Sequence, residues 1–169
     1  RKSSYPQLRQ RLDELERSEM RYRALFEDSP ISLWEEDFSR LKRHFDQLKA
    51  GGMHDFARYF SEHPEEITRC IRMIRILDVN QVTLSLYGAA SKEELLGNIH
   101  RILPQTSQNV LKRELVAIAE DGRFEIECVN LTLKGNERHL LIKSSIPPGF
   151  EDSWEKVFIS VYDLTERIE

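Results

Sequence analysis

RFEIECVNLTLKGNERHLLIKSSIPPGFEDSWEKVFISVYD, residues Arg123 to Asp163, is the stretch that decides the fold. Phe124, Ile126 and Cys128 alternate with Glu125 and Glu127, the two-residue period of a strand with one buried face. The apolar phase then passes to Val129, Leu131 and Leu133, which implies either a bulge or a strand covered on both faces. Lys134-Gly135-Asn136-Glu137 supplies turn residues for a hairpin. A second strand follows over Arg138 to Ile146 and is broken by Pro147-Pro148-Gly149. A third runs from about Glu155 to Asp163, with Val157, Ile159 and Val161 on one face and Phe158 and Tyr162 on the other. Three successive antiparallel strands after a helical middle define an α+β domain.

Upstream, the period lengthens. Ile31 to Asp37 (ISLWEED) reads as a strand. Phe38, Leu41, Phe45 and Leu48 then share a helical face, which the Gly51-Gly52 pair ends. Phe56, Tyr59 and Phe60 mark a short helix broken at His63-Pro64. Pro64, Glu65 and Glu66 suit the first turn of a third helix, with Ile67, Ile71 and Ile74 as its stripe. Arg75 to Asn80 is a short strand, and Asn80 can cap a helix through Tyr87 that Gly88 ends. Ser91 and Glu94 form a capping box before Leu95 and Leu96. A longer helix spans roughly Ser107 to Glu120, with Leu111, Leu115 and Ile118 on one face.

At the N-terminus, Leu8, Leu12, Leu15, Glu19, Tyr22 and Phe26 are spaced 4, 3, 4, 3 and 4, the seam of a coiled coil with Glu19 as a polar intruder. Fewer than three or four heptads are present. Two readings stand: a homodimer formed through the helix, with Leu8, Leu12, Leu15 and Tyr22, and through the sheet face, or an amphipathic helix laid as a lid on the second face of its own sheet. Residues 1–27 are thus expected to be a helix apart from a domain at 28–169.

Composition sets the outer limits. The chain has 169 residues, 25 Lys+Arg and 29 Asp+Glu, a formal net charge of −4. That length can bury a core without disulfides or metal. The mild acidity opposes a nucleic-acid partner, and no run approaches a membrane span. Two cysteines, Cys70 and Cys128, suit a reducing, cytoplasmic setting. The chain begins at Arg1 with no signal segment and reads as a piece of a longer protein.

Five segments, in order, resemble those of PAS domains: Arg17 to Pro30 (RSEMRYRALFEDSP), Ile76 to Gly88 (ILDVNQVTLSLYG), Ser91 to Gly97 (SKEELLG), Gly122 to Glu137 with its KGNE turn, and Asp163 to Arg167 (DLTER). The resemblance covers residues 17–37 and 74–168. Residues 38–73 depart from it as a helical insertion after the first strand. It implies a five-stranded antiparallel sheet ordered 2-1-5-4-3, with helices on one face. It further implies a sensory module that relays a signal to an output domain at its C-terminal side, a histidine kinase or diguanylate cyclase, with residues 163–169 as the start of the linker. Such a module either holds a small ligand or serves without one as a dimerisation and relay element.

The ligand-lining residues expected of such a pocket are Trp34, Tyr87, Leu115, Ile118, Ile126, Ile142 and Ile159, a mostly aliphatic set suited to a small apolar ligand. By the resemblance, Asp163 and Thr165 hold the exit of the last strand; as residues they also suit a helix cap. Glu35, Glu36 and Asp37 would repel one another if buried and are expected in solvent. No GxxxxGK[ST], GxSxG, HExxH or CxxC is present, so a regulatory rather than catalytic role is expected. A flavin adduct is disfavoured because Asn98 to Leu103 lacks a cysteine. Haem through His100 is disfavoured too, although Ile99, Ile102 and Leu103 flank it. Zinc is disfavoured because His44, His54, His63 and Cys70 offer no pair at usable spacing.

Overall fold

The computed structural model describes residues 4–103 and 108–168, so Ser107 of the expected long helix lies outside the described residues. The elements in order are α1 (Ser4–Glu27), β1 (Ser32–Asp37), α2 (Ser39–Ala50), α3 (Phe56–Glu62), α4 (Glu65–Ile71), β2 (Arg75–Val79), α5 (Gln81–Tyr87), α6 (Lys92–Leu96), α7 (Ile99–Ile102), α8 (Gln108–Asp121), β3 (Glu125–Leu131), β4 (Glu137–Ser145), β5 (Val157–Asp163) and α9 (Thr165–Ile168). The four-residue α7 was not expected; so short a turn carries no amphipathic period to read.

The five strands form one antiparallel sheet in the order β2-β1-β5-β4-β3. β3 pairs with β4 without interruption from Glu125↔Lys143 to Leu131↔Glu137. The phase change after Cys128 is therefore no bulge: Ile126 and Asn130 are buried on one face while Val129 and Leu131 are half-buried on the other. The irregularity lies instead between Glu35 and Glu36, where β1 shifts against β2. The β3–β4 turn closes through Thr132 N–H to the Asn136 carbonyl (2.8 Å), with Gly135 at φ +88° where a side chain would strain the backbone.

Trp34, Ile142, Ile159 and Val161 line the inner face of the sheet, which α5 to α8 cover. The helices between β1 and β2 extend that cover. α3 and α4 pack on α8, with Phe45, Phe56 and Phe60 forming an aromatic cluster in which the Phe45 and Phe56 rings meet edge-on at 5.4 Å. Trp154, from the β4–β5 connection, closes this cluster against Phe45, and its carbonyl accepts the Phe38 N–H at 2.8 Å. Lys49 donates to the Ala119 carbonyl at the end of α8.

α1 is not a lid over the outer face. Its last turns dock there: Tyr22 stacks on Phe26, and both rings approach Phe158 at 6.1 and 6.5 Å. Tyr22, expected at a dimer seam, thus packs on its own sheet and donates to Glu35 at 3.2 Å. The rest of α1 leaves the domain, with Leu8, Leu12 and Leu15 exposed at 56, 59 and 66 %. A helix with this few apolar contacts cannot cover a sheet.

Candidate functional site

Asn80 is the fixed point from which the site is built. It is fully buried, and its Oδ1 accepts from Leu33 N–H, Thr83 N–H and Thr83 Oγ1. Its Nδ2 donates to the carbonyls of Phe26 (3.0 Å) and Ile31 (2.8 Å). One side chain therefore caps α5, fixes the start of β1 and holds the end of α1. Tyr87, at the far end of α5, receives a hydrogen bond from Asn130 Nδ2 on β3 (2.9 Å), and its carbonyl accepts Leu133 N–H. Strain-free termination at Gly88 (φ +72°) lets the chain turn back toward α6.

Between the inner sheet face and α4, α6, α7 and α8 lies a cavity of about 500 Å³. Ile71 from the insertion, Leu96 and Ile99 from α6 and α7, and Leu111, Leu115 and Ile118 from α8 form its helical wall, with Ile74 just before β2 beside them. Trp34, Ile142, Ile159 and Val161 form its floor. Six of the seven expected lining residues are brought together here: Trp34, Tyr87, Leu115, Ile118, Ile142 and Ile159. Ile126 is not among them; it sits nearer the end of the hairpin, against Val116 and Ala117 of α8, in a separate groove. His100 is exposed on α7 and does not line the cavity.

Two acids also line it, Glu36 from β1 and Glu114 from α8. Glu35 and Glu36 both correct the expectation that the Glu35-Glu36-Asp37 run is solvated: the Glu35 side chain is only 14 % exposed, and Glu36 lines the cavity. Strand alternation sends Glu35 outward, where it meets Tyr22 and Lys156, and sends Glu36 inward beside Trp34. Burial, and then the charge of Glu114, push the Glu36 carboxyl up to about 8; burial pushes Glu114 up to about 7. Both side chains are half-buried and line the cavity, where mostly apolar neighbours solvate a charge poorly. The two behave as a coupled pair that holds protons near neutral pH. Both were legible in principle: Glu36 is two residues from Trp34 in a strand, and Glu114 falls within the Leu111–Leu115–Ile118 stripe.

Cys128 also lines the cavity, its thiol raised to about 12 by burial, so it is a neutral wall residue rather than a nucleophile. In the insertion, His44, Glu66 and Cys70 converge with ligand-type atoms within 4.8 Å of one another. His54 and His63 are elsewhere, the first against the Gly52 carbonyl and the second near Glu65. Glu66 already pairs with Arg69 at 3.1 Å and stands 3.3 Å from His44 Nε2, so the positive charge a metal would bring is supplied by protein groups.

At the exit of β5, Asp163 Oδ1 accepts both the N–H and the hydroxyl of Thr165, at 3.0 and 2.6 Å. Thr165 Oγ1 accepts His139 N–H from β4 at 3.0 Å, and Leu164 N–H donates to the His139 carbonyl. The two residues thus join β5, β4 and α9.

This sheet order, with helices over one face and a cavity beneath them, is the PAS fold. No family model and no curated protein matches the chain by sequence. Solved structures do match by shape. The PAS domain of an HTR-like protein from Haloarcula marismortui superposes with a TM-score of 0.55 at 17 % identity, over 92 % of this chain and 98 % of that one. A domain of a sensory box sensor histidine kinase/response regulator from Geobacter sulfurreducens gives 0.53 at 16 %, over 88 % and 96 %. The ethanol-bound PAS domain of a LuxR-family transcriptional regulator from Burkholderia thailandensis gives 0.51 at 12 %, over 85 % and 96 %. No described helix is long and apolar enough to cross a membrane.

Proposed function

We propose that the chain is a sensory signalling module that binds a small molecule between its sheet and α8 and passes the change to an output domain beyond α9. Its role is regulatory rather than catalytic, and a histidine kinase is the favoured output, with a diguanylate cyclase as the other. The observation that carries this reading is the cavity: about 500 Å³ of mostly apolar space with a few convergent polar groups, the composition of a small-molecule site. A ligand there touches β1, β4, β5 and α8 together, and β5 runs directly into the Asp163–Thr165 joint. A ligand that fits two arrangements of these elements unequally shifts their populations by that difference in affinity. The sensor histidine kinase and the ethanol-bound regulator domain among the neighbours of similar fold support the same direction.

A ligand-free relay and dimerisation module is the second reading. The exposed Leu8, Leu12 and Leu15 row on α1 favours it, since an isolated helix gains little from exposed leucines. Native mass spectrometry of the freshly purified chain, set against its denatured mass, separates the two. A bound small mass supports the sensor. A dimer with no added mass, and no small molecule retained from a metabolite mixture, supports the relay and removes the sensor.

A further inference from the structure

Glu36 and Glu114 approach one cavity from opposite walls, β1 below and α8 above. Neither accepts a hydrogen bond or forms an ion pair with any described residue. Among the described residues no lysine, arginine or histidine lines the cavity. Two carboxyls facing an apolar space with no protein cation is a costly arrangement, because a buried charge needs a partner. A second group is also left over. Trp34 is only 6 % exposed, it lines the same cavity, and its indole N–H has no hydrogen-bond partner. Its ring meets Tyr87 edge-on at 5.8 Å, so the space beside the acids has aromatic walls.

We infer that the ligand of this cavity is a small organic cation, an amine with an apolar body whose ammonium lies between Glu36 and Glu114. The inference rests on the sensory reading of the cavity and adds the chemistry of the ligand. An ammonium supplies the missing counter-charge and donates to both carboxylates. The aliphatic residues of α8 and β5 take the body, with the Trp34 and Tyr87 rings beside it. An oxygen on the body would satisfy the Trp34 N–H. Once the carboxyls are deprotonated, an anion meets two like charges, and a neutral apolar molecule leaves both acids without a partner.

The arrangement also sets how binding depends on pH. The titratable groups facing the acids are Cys128 from β3 and Tyr87 from α5, both held neutral by burial; α4, α6 and α7 contribute no charged lining residue. Only the two glutamates therefore change charge in the neutral range. A cation displaces their protons, so its binding strengthens as pH rises.

The test is calorimetric titration of the 169-residue chain with 2-phenylethylamine, and with 2-phenylethanol as a neutral isostere, at pH 5.5 and pH 8.5. The amine is expected to bind at least about tenfold more tightly than the alcohol at pH 8.5, a difference of roughly 1.4 kcal/mol, and to lose most of that margin at pH 5.5. In the Glu36→Gln/Glu114→Gln variant the margin between amine and alcohol should vanish. Should the double variant not fold, Glu114→Gln alone, together with the pH profile of the unaltered chain, reads the same margin. Equal affinity for amine and alcohol at both pH values overturns the cation but leaves the cavity a ligand site. Binding of neither overturns both.

Discussion

Asn80 shows how much one buried amide can organise. Its five hydrogen bonds reach α1, β1 and α5, and each partner is main chain or buried. Asn80→Ala leaves the Leu33 N–H and two carbonyls without partners in a dry site, at roughly 1–3 kcal/mol for a buried orphan. A loss of about 3 kcal/mol or more in chemical denaturation is expected, with faster hydrogen exchange at the N–H groups of Leu33 and Thr83, which lose their Asn80 acceptor. A loss under about 1 kcal/mol would show that water replaces the amide. The sequence marks Asn80 as a helix cap, which it is, but the other bonds come from residues about fifty positions away and no local pattern displays them. The inward turn of Glu36 is hidden from a local reading for a related reason. Three acids in a row suggest solvent, whereas the pleat of β1 separates them, and the alternation from Trp34 was the better guide.

At the level of elements, periodicity identified the five strands, the helices of the insertion and the N-terminal helix, because each carries a clear stripe or alternation. It did not reveal α7, nor that Trp154 would reach across to lock the insertion, since a tryptophan between two breaks has no period to place it. Nor could it place Ile126: facing inward is decided by alternation, but reaching the cavity depends on how far α8 extends over β3. The Asp163–Thr165 joint is the element contact with the most direct functional consequence. Asp163 is exposed, while Thr165 is buried and keeps its bond from His139 without it. Asp163→Ala is therefore expected to cost only about 1 kcal/mol in stability, the usual value of a lost cap. In the longer protein it should still abolish the response of the output to ligand. Output that responds unchanged in that variant would remove Asp163 from the relay.

For the molecule as a whole, the acid pair makes stability depend on pH in an unusual direction. Both carboxyls are raised on folding, Glu36 from the ordinary carboxylate range to about 8 and Glu114 to about 7. The folded state therefore holds protons that the unfolded chain releases, so the stability they contribute is complete below about pH 4.5 and is lost as pH rises through 7 and 8. Between pH 5 and pH 9 the loss is bounded by about three pH units for Glu36 and two for Glu114, about 7 kcal/mol at roughly 1.4 kcal/mol per unit, and less where solvent reaches the carboxyls. Thermal unfolding across that range should show a falling Tm, and Glu36→Gln/Glu114→Gln should flatten the profile. A Tm that stays level in the unaltered chain would mean that the cavity admits enough water to solvate both charges.

The geometry of α1 has a mechanical reading. The helix has 24 residues, which at about 1.5 Å per residue is a rod of roughly 36 Å. Only its last turns are clamped, by Asn80, by the Tyr22–Phe26–Phe158 rings and by the Glu27–Lys92 ion pair. Clamp and cavity share strand β1: its outer residue Glu35 holds Tyr22, and its inner neighbours Trp34 and Glu36 line the cavity. A tilt of only 5° at that pivot would swing the far end by about 3 Å over such a length. The domain is in this sense a short-armed lever on a long shaft, and a displacement too small to unsettle the core arrives at Leu8 enlarged by the length of the shaft.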